Sequence, residues 1–169
     1  MKITLPDSSI KEYTEPTTIA DIALDIGPGL AKAAIAGEID GRLVNVSHNV
    51  DKDSNVRLIT TKDDCALGIL RESSAALLIS AMTRKYDNVT FVNNNVTEDG
   101  FFVDFIMDTT VSVESLPGIV DTMNQLLKEN TKIDITCSTK QEIIKTNSDL
   151  LNQYQLDLLN NSDENIIYY

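Results

Sequence analysis

Apolar residues recur along the chain with two periods, and the changes of period mark its elements. Lys2 to Leu5 and Ser9 to Tyr13 alternate on either side of Pro6-Asp7-Ser8, whose turn-forming chemistry predicts a β-hairpin. Ile19, Ile22, Ala23 and Ile26 follow at helical spacing, with Thr17 or Thr18 placed to cap the helix. Asp21 falls in its first turn, where a carboxylate interacts favourably with the helix dipole. Gly27-Pro28-Gly29 is expected to end this helix as a plain turn into a strand over Ala33 to Ala36. Asp40-Gly41 is a strong hairpin signal leading into Arg42 to Val46. A loop rich in Asp and Asn then reaches a last strand, Asn55 to Thr60. Hairpin, helix, hairpin and final strand make the plan of a β-grasp fold.

Farther on, Asp63 to Tyr86 predicts one long helix with an apolar stripe of Leu67, Leu70, Ser74, Leu77 or Leu78, and Ala81. Val89 to Asn93 and Val96 to Met107 predict a hairpin turning near Asp99-Gly100. Ser112 is placed to cap a second helix running to Asn130, with Pro117 tolerable near its start and Gly118 weakening that end. Ile133 to Thr136 reads as a strand, and Ser138 with Gln141 as the capping box of a third helix. Beyond Asn147 no periodicity places an element. The run Phe101-Phe102-Val103 breaks polar–apolar alternation, so at least one large apolar side chain must face the second side of its sheet. The terminal residues Ile166, Ile167, Tyr168 and Tyr169 are a candidate cover for it.

Length and charge narrow the picture. A chain of 169 residues holds one ordinary domain or two small ones. Up to Lys62 it carries 7 Lys/Arg against 9 Asp/Glu, but from Asp63 onward 7 against 17. Phosphate neutralisation supplies most non-specific affinity for nucleic acid, so this acidic excess argues against autonomous RNA binding by the second half, and against DNA as a partner. Contacts to RNA, if made, fall to Lys2, Lys11, Lys32, Arg42, Arg57 and Lys62 in the first half. No run is expected to approach the roughly 20 apolar residues of a membrane helix, and the first residues lack the apolar core of a signal peptide. A cytoplasmic protein without a membrane partner is therefore expected, its sequons at Asn45, Asn88, Asn95 and Asn160 unused.

Candidate chemistry is sparse. Gly27-Pro28-Gly29-Leu30-Ala31-Lys32 lacks the Gly-Lys-Ser/Thr ending of a phosphate loop. His48 lies in a polar loop with Asp51 and Asp53 near in sequence but no evident pocket, so a solvated histidine is expected. Cys65 and Cys137 are expected to be unpaired thiols. A zinc site needs further ligands, and His48 is the sole histidine. Asp99, Asp104 and Asp108 lack the ligand spacing of a Ca²⁺ loop and read as a solvated acidic face. No metal and no cofactor are expected.

Ala20 to Val44 resembles the heart of the small N-terminal TGS domain of bacterial threonyl-tRNA synthetases, and the similarity continues over roughly residues 2 to 145. The resemblance implies an α+β chain. A ubiquitin-like β-grasp (TGS) domain at residues 1–61 is followed by a truncated editing-type α+β domain of the threonyl/alanyl-tRNA synthetase kind at 64–169. In that family a long helix carries H-x-x-x-H, whose two imidazoles sit one turn apart and help form the pocket that hydrolyses mischarged seryl-tRNA. Here those positions hold Glu72 and Ala76. The family's G-F-Y-Y-D reads Gly100-Phe101-Phe102-Val103-Asp104, so Phe102 and Val103 replace both tyrosines, and the later C-x-x-x-H has no counterpart. The resemblance thus implies a non-catalytic module with weakly bound tRNA or a translation-related protein as partner. Alternatives are an N-terminal piece of a longer threonine–tRNA ligase and, third, a free-standing deacylase of mischarged tRNA.

Overall fold

Lys2–Thr4 (β1) and Ile10–Glu12 (β2) form the first hairpin, with Lys2 opposite Glu12 and Thr4 opposite Ile10. This computed structural model describes residues 1–129, 137–147, 149, 151–162 and 166–168. Its tertiary contacts divide the chain into two units, Met1–Leu67 and Gly68–Tyr169.

In the first unit β1 pairs in parallel with Ser54–Thr60 (β7). Strand β7 pairs antiparallel with Ala34–Ile39 (β4), which carries Arg42–Val44 (β5) on its other side. The strand order is β2-β1-β7-β4-β5, and a separate short pair joins Thr17–Thr18 (β3) to Asn49–Val50 (β6). Helix Ile19–Ile26 (α1) covers one face of the large sheet. Thr18, not Thr17, is its cap: the Thr18 hydroxyl oxygen accepts the Asp21 N–H at 3.0 Å, and the Asp21 carboxylate reaches back to the Thr18 N–H. Ile19 and Ile22 are fully buried with Ile3, Val50 and Val56. Gly37 makes this contact possible, because a Cβ there would stand 2.7–2.9 Å from three side-chain atoms of Ile19. At Asp40-Gly41 both residues take positive φ (49° and 87°), the twist a tight hairpin needs.

Two boundaries in this unit differ from expectation. The chain after α1 does not pass straight into a strand; Pro28–Ala33 forms a second helix, α2. Proline lacks an N–H and has a fixed φ, which suits a first helical position, so Pro28 begins a helix where it was expected to prevent one. Strand β5 stops at Val44 rather than Val46. The Asn45 carbonyl accepts the His48 N–H at 3.0 Å, and the carbonyls of Val46 and His48 accept the N–H groups of Ala20 (2.8 Å) and Ile19 (3.1 Å). A first helical turn leaves N–H groups without partners, and these two carbonyls satisfy two of them.

Helix Ala66–Lys85 (α3) begins three residues later than expected, because Asp63 belongs to the turn before it. Its stripe is also different. Ala75, Ala81 and Met82 are buried, whereas Leu67 and Leu70 are 54% and 42% exposed. Apolar residues lie on all sides of this helix, so period alone does not choose the packed face. Contrary to expectation, α3 is long and apolar enough to cross a membrane by length and composition, with mean hydropathy 1.2 over 18 residues. Ala75, Ala81 and Met82 on this helix are nonetheless buried, and Arg71 donates to the Thr97 carbonyl at 2.9 Å.

The second unit continues with the hairpin Thr90–Val96 (β8) and Phe101–Ile106 (β9), whose register shifts between Phe91 and Asn93. Its turn is closed by the Thr97 N–H to the Gly100 carbonyl and the Gly100 N–H to the Thr97 hydroxyl. A single 3-10 turn at Val113–Ser115 precedes helix Leu116–Glu129 (α4), so Ser112 opens the 3-10 turn and not the α-helix itself. The strand expected at Ile133 to Thr136 lies outside the described residues, and the next strand is Cys137–Thr139 (β10). Helix Lys140–Thr146 (α5) is capped one residue later than expected, by Thr139 with Glu142, whose carboxylate also accepts the Ser138 hydroxyl at 2.6 Å. Helix Gln153–Asn161 (α6) was not anticipated, although Asn152 and Gln155 spell its capping box. The Asn152 amide donates to the Phe91 carbonyl at 2.8 Å, tying α6 to β8. Ile166–Tyr168 (β11), part of the candidate cover for the β8–β9 hairpin, pairs with β10. Tyr169 lies outside the described residues.

Candidate functional site

The six cations proposed for RNA contact do not converge. Register puts Lys2 and Arg57 on the sheet face opposite α1, while Lys11 and Arg42 lie on the α1 side at opposite edges, β2 and β5. Lys32 sits on α2 and Lys62 in the turn after β7. Lys2, Lys11 and Arg57 are matched by acids. Lys2 Nζ stands 3.6 Å from Glu12 in a largely exposed pair, and Lys11 Nζ donates to Asp25 at 2.6 Å. Arg57 holds Glu38 at 2.7 Å with one nitrogen and Asp63 at 3.1 Å with the other. These partners cancel charge that phosphates would otherwise meet.

Two of these pairs extend into local networks. Asp25 also accepts the Tyr13 phenol at 3.0 Å, joining β2 to the end of α1. The Lys11 and Tyr13 hydrogen bonds hold the Asp25 carboxyl below the usual carboxylate range. Partial burial and then Asp25 push the Tyr13 phenol up to about 12. On the opposite face, the Glu38 hydrogen bond raises Arg57 above its ordinary value. The Asp63 carboxyl is lowered first by the Thr60 N–H, then by the Thr60 hydroxyl and the Arg57 charge. Beside Arg57 lies a hollow of about 350 Å³ lined by Lys62, Asp63, Asp64 and Cys65. Cys65 is a free, half-buried thiol; the side chain of Cys137 lies outside the described residues.

In the second unit Glu72 and Ala76 lie one turn apart on α3, as their spacing requires. Glu72 is exposed, and its carboxylate is 3.5 Å from the Asn94 amide on β8. Ala76 offers a methyl group. On β9, Phe101, Val103 and Phe105 turn inward, while Phe102 and Ile106 stand 45% and 48% exposed on the other face with Asp104 between them. The break in sequence alternation thus places large apolar side chains on both faces of the hairpin. These positions bring together one carboxylate, an amide and apolar groups, with no second acid or base beside Glu72 among the contacts described. His48 is exposed in the first unit, where its carbonyl serves α1. Asp99, Asp104 and Asp108 are exposed.

Sequence reasoning missed the acids that pair with the cations. Glu38 and Arg57 become neighbours only once β4 and β7 are set in register, which no local pattern announces. It also missed an exposed apolar stripe that runs from the 3-10 turn into α4. Val113 in the turn and Leu116, Val120 and Leu127 on α4 are 49–77% exposed, and their spacing of three, four and seven was legible.

Residues 1–60 match the family model of the TGS domain, so the first part of the chain is a TGS domain of ubiquitin-like β-grasp fold in a mixed α+β chain. Over nearly its full length the chain is homologous to the N-terminal region of threonine–tRNA ligases. That of Hahella chejuensis is 34% identical over 169 residues, which cover 99% of this chain and 26% of the relative. That of Prochlorococcus marinus is 36% identical, covering 96% and 25%. The Staphylococcus aureus protein is 35% identical, covering 100% and 26%. The chain spans about a quarter of the length of the curated relatives it matches.

Proposed function

We propose that this chain is a non-catalytic, threonyl-tRNA synthetase-like N-terminal module that binds within the translation apparatus in the cytoplasm. Its TGS domain spans residues 1–61 and its second domain, at 64–169, is an editing-type α+β domain that has lost its chemistry. The observation that carries this reading is the match of the whole chain to only the first quarter of threonine–tRNA ligases. Its support from the site is the environment of Glu72, a lone exposed carboxylate one turn from Ala76, with Phe102 and Val103 on the facing strand motif. Hydrolysis of an ester at neutral pH calls for a positioned acid–base group, which typically contributes about a hundredfold or more. The partner is tRNA, held weakly because Lys2, Lys11 and Arg57 are already paired with acids, or a protein of the translation machinery. Seryl-tRNA carrying the threonine anticodon should therefore survive incubation with the protein as long as in its absence. Turnover above that blank, abolished by Glu72→Gln, would overturn the reading in favour of a deacylase.

A second reading, that these residues are the start of a longer threonine–tRNA ligase, is favoured by the same quarter-length match. Immunoblotting of the source cells with an antibody to this chain separates the two. A product of 18.6 kDa supports the free module, and one about four times larger supports the ligase.

A further inference from the structure

The turn between β7 and α3 is held by a connected set of side chains reaching the neighbouring strand β4. Arg57 projects from the middle of β7 on the face opposite α1, directly across from Glu38 on β4. One guanidinium nitrogen donates to Glu38 at 2.7 Å and another to Asp63 at 3.1 Å. The second oxygen of Asp63 accepts the Thr60 N–H at 2.7 Å and the Thr60 hydroxyl at 3.0 Å. The backbone closes the same turn, the Asp63 N–H donating to the Thr60 carbonyl and the Ala66 N–H to the Asp63 carbonyl. Asp63 therefore commits its entire side chain to the turn and to Arg57, and Arg57 carries that restraint into β4.

We propose that Glu38, Arg57 and Asp63 form a latch that holds residues 60–65 against the sheet of the first unit. Three features favour a latch over three independent surface pairs. The Arg57 fork engages two carboxylates from different elements, and charge-assisted bonds of this kind are stronger than neutral ones. Both carboxylates are only about a quarter exposed as side chains, so solvent screens them less than a fully exposed pair such as Lys2–Glu12. Glu38 does not touch the turn, yet it orients the group that does. The latch lies wholly within the first unit and is independent of the functional reading above.

Lys62, exposed within the latched turn, supplies the readout: trypsin cleaves after it only when the turn opens. Limited tryptic digestion of the full chain, with amide exchange of Asp63 and Ala66, should show faster opening in Asp63→Asn by roughly tenfold, the scale of one lost charge-assisted hydrogen bond. Glu38→Gln should accelerate cleavage after Lys62 by about two- to fivefold although residue 38 is outside the turn. The two changes together should be less than multiplicative, because both act through Arg57. Equal cleavage rates in wild type and Asp63→Asn overturn the latch. So does a faster rate at every first-unit lysine alike, which would report general loss of stability. An unchanged rate in Glu38→Gln, with Asp63→Asn accelerated, reduces the feature to a local turn and overturns the proposed connection through Arg57.

Discussion

The two units deploy their apolar residues differently. In the first, the large aliphatic side chains Ile3, Ile19, Ile22 and Val56 cluster with Val50 and are all but fully buried, and Ile59 is fully buried as well. Among the described residues of the second, Ala75, Ala81, Met82, Ile119 and Ile143 are buried, two of the five being alanines. Its larger side chains Phe102, Ile106, Val113, Val120 and Leu127 stand 45–77% exposed. Burial stabilises in proportion to the apolar area removed from water, so the first unit draws on a dense core that the described part of the second does not match residue for residue. The lesson is that apolar content does not predict a core; apolar residues must also be brought to one face by the period of their element.

The sharpest way to break this comparison is to delete equal groups on either side of it. Ile19→Ala should destabilise the first unit by about 2–5 kcal/mol, since it removes fully buried methylenes from against Gly37 and leaves a cavity. Leu127→Ala on α4, where the side chain is 62% exposed, should change stability by no more than about 0.5 kcal/mol. Urea titrations followed by residue-specific amide signals in each unit would measure both. A cost at Leu127 comparable to that at Ile19 would mean that the α4 stripe is covered in solution and that the contrast is false.

Glycines test the same contrast by addition. At Gly37 a new methyl must enter the space of the branched Ile19 side chain, so Gly37→Ala should cost about 1–3 kcal/mol by overpacking. At Gly118 the obstacle is the end of Lys85, whose Nζ lies 2.7 Å from where an added methyl would stand and can swing into solvent. Gly118→Ala should then gain the helix propensity of alanine, about 0.5–1 kcal/mol. Opposite signs in thermal melts sharpen the comparison; a shared sign shows that α4 is packed as tightly near its start as the sheet is beneath α1.

How much of this was legible differs between the units for the same physical reason. The first unit announces itself through local chemistry: Thr18 and Asp21 cap α1, Asp40-Gly41 supplies positive φ, and Ile19 and Ile22 recur at one period. Its errors fell at Pro28 and Val46, where backbone partners rather than side-chain pattern set the boundary. The second unit offers weaker signals. Helix α3 is apolar on all sides, so the choice of face belongs to tertiary packing, and α6 carries its signal in an Asn/Gln capping pair instead of an apolar stripe. At the candidate site the residue types were readable, but the pairing of Arg57 with Glu38 and Asp63 depends on strand register and on the turn after β7.

The smallest expected effect is electrostatic, and it also separates the units. Asp7, Asp25, Asp40 and Asp63 in the first unit all have carboxyl pKa values lowered by hydrogen bonds, from Ser9, from Lys11 and Tyr13, from Asn55 and from Thr60 respectively. Among the described residues of the second unit the lowered carboxyls are Glu114, through Ser112, and Glu142, through Ser138 and Thr139. A carboxyl whose folded pKa lies below its unfolded value binds fewer protons when folded, so stability rises with pH across the interval between the two. The contribution is complete above the unfolded value, 3.8 for Asp, and is lost as pH falls through the lowered folded values. These groups therefore leave stability flat between pH 7 and 5 and erode it below about 4. All are solvated, so each effect is modest, but four acids against two should make first-unit amide signals lose urea resistance faster than second-unit signals between pH 5 and 3. Asp40→Asn offers the cleanest control, because its partner Asn55 donates from both backbone and side chain and either bond survives to an amide oxygen. If the first unit keeps its urea midpoint down to pH 3, or if Asp40→Asn leaves the acid slope unaltered, these hydrogen bonds contribute nothing beyond geometry, and the difference between the units rests on apolar burial alone.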